Sequence, residues 1–103
     1  MNTLYIDTRD SKNIVIRLET DKGVFEKKTE AFKDKAQAAL PIIEDLLKQV
    51  GIKADQINEV FVKNTGGSFT GVRVGIAIAN ALSFSLGVKI NGKKLGEIVL
   101  PEY

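Results

Sequence analysis

The sequence predicts a mixed α/β domain in which strands come first and helices then alternate with strands. Three observations predict it. Short runs rich in β-branched and aromatic residues, separated by turn residues, fill the first thirty positions. Two longer stretches then carry apolar residues at three- and four-residue spacing, each closed by a glycine. Two further apolar runs, one between these stretches and one after them, are too short to be helices.

Thr3 to Asp7 is apolar and β-prone, Ile14 to Glu19 repeats the pattern, and Gly23 to Thr29 completes it. Asp10-Ser11-Lys12-Asn13 and Thr20-Asp21-Lys22-Gly23 read as turns, which makes the three runs an antiparallel meander. The first helix is expected from Phe32 or Asp34 to Val50, stopped by Gly51. Ala36, Ala39, Leu40, Ile43, Leu47 and Val50 share one face, and Ile42 and Leu46 widen it beyond what one layer of core requires. Pro41 removes one backbone hydrogen bond inside this helix and should kink it. Asp55 to Asn58 leads into a fourth strand, Glu59 to Lys63.

Gly66-Gly67 lets the chain reverse after that strand. Thr70 is the expected N-cap of a second helix from Gly71 to about Leu86, with Phe69 and Val74 placed as a hydrophobic staple. Gly87 stops it, and Val88-Lys89-Ile90 is a fifth strand. Asn91-Gly92 is a turn, after which Lys94 to Leu100 forms a further strand or a tail.

The second helix is apolar almost all round. Val74, Ile78 and Leu82 line one side, Val72 and Ile76 another, and only Arg73 and Asn80, with Gly87, mark a polar strip. Gly71, Gly75, Ala79 and Ser83 sit four apart, a ladder of small residues that allows close approach of another backbone. Such a helix is buried on more than one side. The sheet supplies one cover; the first helix or another chain supplies the other. Excess apolar surface on both helices points to a partner interface built from Ala39, Ile42, Ile43, Leu46, Val72, Ile76, Ala79 and Ser83, with Gly71 and Gly75 as close-packing positions. On this reading a bulky residue at Gly75 weakens pairing and leaves the monomer folded.

Composition removes many chemistries. The 103 residues make one domain with room for a modest core, and 44% hydrophobic with 27% charged residues is ordinary globular composition. Without cysteine or histidine there are no disulfides, thiol nucleophiles, Cys/His zinc sites or Ser-His-Asp triads. A net charge of +2, with isolated Lys27-Lys28 and Lys93-Lys94 pairs, does not make a phosphate track. The apolar stretch 74–90 is interrupted by Asn80, Ser83 and Ser85 and is shorter than the ~20 residues a bilayer needs. No N-terminal export segment is visible, so the expected location is the cytoplasm.

Asp7-Thr8-Arg9-Asp10 after the first strand offers a cation at most two carboxylates, and Asp7 is expected instead to bond nearby turn backbone. Gly66-Gly67-Ser68 before a helix resembles an anion cradle but lacks a Gly-Lys-Ser/Thr ending and the spaced glycines of a dinucleotide site. Two-metal nuclease chemistry fails for want of acids, because the fourth strand ends in Lys63-Asn64 and Glu59 lies at its far end. The chain is therefore expected to hold no catalytic residues, no metal and no cofactor.

The stretch Gly67-Ser68-Phe69-Thr70-Gly71-Val72-Arg73, followed by Val74 and Gly75, resembles the signature of the TsaB (YeaZ) family. Leu4-Tyr5-Ile6-Asp7-Thr8 resembles that family's first strand, Ala39 to Leu47 its first helix, and Ala81 to Val88 the end of its next helix. Departures are Gly66 where the family usually has Pro, and Lys35-Ala36 where it has His-Ser. Members are also longer and carry a second lobe, absent from residues 1–103. The Pro101-Glu102-Tyr103 ending is similar to the Pro-x-Tyr close of some members.

The resemblance implies a single ribonuclease-H-like or actin-like ATPase lobe with element order βββαβαβ. It implies a non-catalytic protein that pairs through its two helices with a TsaD-like enzyme, or with a second copy of itself. That enzyme, assisted by a TsaE-like ATPase, adds the threonylcarbamoyl group to the adenosine beside the anticodon of certain tRNAs. This chain would meet tRNA only indirectly. The alternative reading is a self-associating structural domain of the same fold without the tRNA role.

Overall fold

The computed structural model describes residues 1–10, 12–30, 35–67 and 69–102, apart from the side chains of Lys35, Ala36 and Phe69. The elements are β1 (Thr3–Asp7), β2 (Asn13–Thr20), β3 (Gly23–Glu30), α1 (Lys35–Val50), β4 (Glu59–Val62), α2 (Phe69–Leu86) and β5 (Lys89–Ile90), with a 3-10 turn at Ala54–Gln56 before β4. The expected order is present. The expected helix start at Phe32 or Asp34 lies outside the described residues.

The five strands form one sheet in the order β3-β2-β1-β4-β5. The β1–β2 and β2–β3 pairs are antiparallel, as adjacent strands joined by short turns must be, while β1–β4 and β4–β5 are parallel and are linked through the helices. Alternation along the strands separates two faces. Leu4 and Ile6 of β1, Ile14, Ile16 and Leu18 of β2, and Val60 and Val62 of β4 are buried on one face. Register sets them side by side, Ile6 opposite Ile16 and Val62. The other face carries Tyr5, Asp7, Val15, Arg17, Glu59 and Phe61, all only partly buried.

Both helices cover the first face. α1 packs over β2 and β3, α2 over β4, β1 and β5, and the helices touch each other. Each ends with hydrogen bonds that satisfy its last carbonyls: Gly51 and Ile52 N–H both donate to Leu47 O, and Val88 N–H donates to Ser83 O. α1 continues through Pro41, whose missing N–H orphans the carbonyl of residue 37 at an exposed position. α2 begins at Phe69, so Thr70 lies inside the first turn and is not the cap. The staple partner Phe69 has no described side chain.

The tail after β5 adds to the cover of α2, for which the sequence points to the first helix or another chain. Val99 is buried at 1% exposure, and Asn80 of α2 grips its backbone twice, donating to Val99 O and accepting from Val99 N–H at 2.9 Å each. Further on, Glu102 bridges Thr65 in parallel register. Asn91 completes the edge: its side-chain amide donates to Val62 O and accepts from Val62 N–H, prolonging the ladder past β5.

Candidate functional site

Parallel β1 and β4 release their following loops at the same end of the sheet, the place where α/β sheets commonly bind ligands. Here the two loops contact each other through Arg9 and Gly67. Asp7 accepts from the Arg9 backbone N–H at 3.1 Å, as a turn-forming Asp does. Its carboxylate also takes a bidentate pair from the Arg9 guanidinium, Nε to Oδ1 and Nη2 to Oδ2, both at 3.0 Å. Arg9 Nη1 then reaches across to Thr65 O at 3.2 Å. Partial burial alone would raise the Asp7 pKa. The Arg9 hydrogen bonds, with the charges of Arg9 and Lys63, outweigh it and hold the carboxyl below its ordinary value. The same pair raises Arg9 above its usual value.

Backbone closeness seals the contact. A Cβ on Gly67 would stand 2.6 Å from Arg9 Cβ and 2.9 Å from Arg9 O, and Gly67 has φ +90°. Thr8, fully buried, donates its hydroxyl to Gly71 O in the first turn of α2. A Cβ on Gly75, one turn on, would collide with Thr8 Oγ1. Gly67 and Gly75 thus let the Asp7-Thr8-Arg9 segment lie against the β4–α2 junction. Among the described residues no group of three or more Asp, Glu, His or Cys is placed to hold a metal ion.

Comparison with known proteins gives this glycine arrangement a context. Residues 22–92 match the family described as "TsaD: tRNA N6-adenosine threonylcarbamoyltransferase". The Bacillus subtilis tRNA threonylcarbamoyladenosine biosynthesis protein TsaB is 30% identical over 91 residues, 88% of this chain and 40% of that protein. The chain belongs to the TsaB/YeaZ family. The Escherichia coli TsaB is 35% identical over 60 residues, 58% of this chain and 26% of that protein. Two solved structures agree in fold: YeaZ from Pseudomonas aeruginosa, with TM-score 0.79, and an uncharacterized protein similar to peptidase YeaZ, with TM-score 0.81. Each is 25% identical and covers 86% of this chain but 41% of its own. The chain thus spans less than half the length of these relatives, and the fold is the actin-like, ribonuclease-H-like lobe that they share with it.

Within this TsaB/YeaZ lobe the eight residues expected at a partner interface face inward. Ala39, Ile42, Ile43, Leu46, Val72, Ile76, Ala79 and Ser83 are exposed by only 0–7% in the single chain. The Ser83 hydroxyl donates to Val88 O at 2.6 Å, so even the polar member is satisfied internally. Gly75 packs closely against Thr8, just after β1, and the Gly71 carbonyl accepts the Thr8 hydroxyl. A Cβ at Gly75 would meet the buried Thr8 hydroxyl, which argues against the expectation that a bulky residue there spares the monomer.

The outward residues of the helices are different ones. Thr70, Arg73, Ala77, Ala81, Phe84 and Ser85 are exposed on α2, and Gln37, Leu40, Pro41, Glu44 and Asp45 on α1. Phe84 is 89% exposed and Leu40 48%. A helical wheel could have found this strip by subtracting the small-residue face, but the wheel alone does not say which face the sheet takes.

The open face of the sheet holds a second feature that sequence reasoning missed. Tyr5 and Phe61, register partners on β1 and β4, stack at 5.4 Å and 16°, and the Arg17 guanidinium lies 4.2 Å from the Tyr5 centroid. They border a shallow pocket of about 170 Å³ with Asp7, Val15, Glu26 and Lys63. Alternation was the available signal, since both aromatics occupy the polar phase of their strands. No helix among the described residues is long and apolar enough to cross a membrane.

Proposed function

We propose that this chain is a non-catalytic docking partner of a TsaD-like enzyme in the threonylcarbamoyladenosine modification of tRNA. The observation that carries this reading is the outer strip of α2. Ala77, Ala81 and Phe84 stand in solvent with Arg73 as the only charge on the helix, an apolar centre of the kind found in interfaces. At the ends of β1 and β4 both Asp7 oxygens are engaged by Arg9, which favours a structural over a catalytic role for that carboxylate.

The α1–α2 layer serves as the docking surface in this reading. Leu40, Ala77, Ala81 and Phe84 meet the partner, and Ala39, Ile42, Ile43, Leu46, Val72, Ile76, Ala79 and Ser83 hold the helices behind them at a fixed spacing. The catalytic groups and any metal belong to the enzyme, a TsaE-like ATPase joins the assembly, and tRNA is met through the enzyme, in the cytoplasm. Residues 1–103 act as one lobe in this reading. Size-exclusion chromatography with light scattering tests this on the chain mixed with the TsaD-like enzyme of its own organism. A one-to-one complex is expected; two unshifted species well above micromolar concentration would sink the docking reading.

A further inference from the structure

We propose that the free edge of β3 pairs antiparallel with β3 of a second copy of this chain, joining two five-stranded sheets into one. β3 is the terminal strand and is eight residues long, with no strand beside its outer edge among the described residues. Unpaired N–H and C=O groups along an edge of that length are a template for another strand. The opposite edge is unsuited, because β5 has only two residues and Asn91 and the tail continue its line.

Charge order along β3 selects the second copy as occupant. Val24, Glu26, Lys28 and Glu30 are exposed on the open side of the sheet, while Phe25, Lys27 and Thr29 alternate toward the helices. None of Glu26, Lys28 and Glu30 has an ion-pair partner among the described residues. In an antiparallel register centred on Lys27, Glu26 faces Lys28 of the partner subunit and Lys28 faces Glu26 of the partner subunit. Phe25 meets Thr29 of the partner subunit, and both faces of the sheet are preserved. Adjacent lysines on an edge usually deter pairing. Here Lys28 is neutralised across the dyad, and Lys27, which meets its own copy, already lies 3.6 Å from Asp45 of α1. The helices also fit. With strands about 4.8 Å apart and α1 above β2 and β3, the two α1 axes come about 10 Å apart, near ordinary helix spacing. α2 lies over β1, β4 and β5, away from this edge, so the dimer leaves its outer strip open.

Charge substitutions on β3, read by sedimentation equilibrium up to several hundred micromolar, test the register. The wild-type chain is expected to dimerise. E26K and K28E each set like charges opposite one another twice and should weaken the dimer roughly tenfold or more. Mixing the two variants restores both attractions. E26K carries lysine at both positions of the pair and K28E carries glutamate at both, so opposite charges face each other twice and a heterodimer should form. These side chains are exposed, so the variants fold. A monomeric wild type, a dimer indifferent to both substitutions, or variants that fail to associate on mixing would each overturn the proposal. Binding of a TsaD-like enzyme by K28E is expected to be unchanged, which separates this edge from the helical surface.

Discussion

The junction of β1 with α2 and the outer strip of the same α2 are built from similar residues and behave oppositely. At the junction, Gly67 and Gly75 bring backbone against Arg9 and Thr8, the Thr8 hydroxyl donates to Gly71 O and Arg9 reaches Thr65 O. On the outer strip, Ala77, Ala81 and Phe84 touch solvent. Small residues in a helix thus have two meanings, close internal packing or an unobstructed docking surface, and only the direction of the face separates them. The family signature lies on the junction. Much of it records how the lobe closes on itself, while Ala77, Ala81 and Phe84 of the proposed docking strip lie outside it.

The comparison breaks most sharply at Gly75. G75L should abolish the cooperative folding transition, and G75A should cost about 2–3 kcal/mol by overpacking. Helix propensity alone favours Ala over Gly by up to about 1 kcal/mol, so a destabilised G75A isolates the Thr8 collision. In a double-mutant cycle with T8A the two losses should fall short of additive, because removing Oγ1 relieves the contact. Thermal melts of the four proteins check this; full additivity would mean that the junction tolerates a Cβ.

Gly67 comes next. G67A meets Arg9 Cβ and O and forces a side chain to φ +90°, at a cost of about 2 kcal/mol. Urea unfolding should show a lower midpoint at an unchanged slope. A midpoint within error of wild type would show that the two loops are not in firm contact.

A smaller effect follows from the Asp7–Arg9 pair, and it carries a pH signature. The folded state depresses the Asp7 pKa, so the pair's stabilisation is present above the unfolded carboxyl's pKa. It is lost as pH falls through the lower folded value. D7N should therefore cost about 1 kcal/mol at neutral pH, discounted for a side chain 29% exposed. The gap to wild type should close in acid. A gap that persists at low pH would assign the loss to something other than the carboxylate charge.

Element order was legible because its signals are local. Alternation marks β1 and β2, and the glycine stops at Gly51 and Gly87 fall where the helices end. The Asx turn at Asp7 was also legible, since it needs only the next two residues. What sequence alone did not reveal depends on contacts distant along the chain. Arg9 joins a loop 56 residues away, Asn80 clamps a tail 19 residues away, and Val99 fills space beside α2. The inward turn of Val72, Ile76, Ala79 and Ser83 follows from the same cause. Their spacing defines a face, and only the sheet's position decides that the face is internal.

Phe84 is where the least stability change should accompany the largest change in binding. At 89% exposure its ring gains little from folding, so F84E should shift stability by no more than about 0.5 kcal/mol. The added carboxylate points to water in the free chain and costs nothing there. In a complex it would enter a desolvated apolar centre, and burying an unpaired charge is expensive. Affinity for a TsaD-like enzyme should fall by at least tenfold, measured by calorimetric titration against a wild-type control of matched melting temperature. K28E on β3 offers the counter-control, a charge reversal at another exposed position away from α2. Loss of enzyme binding in both variants would point to general electrostatics. Loss in F84E alone would localise recognition to the face of α2 that the family signature leaves open.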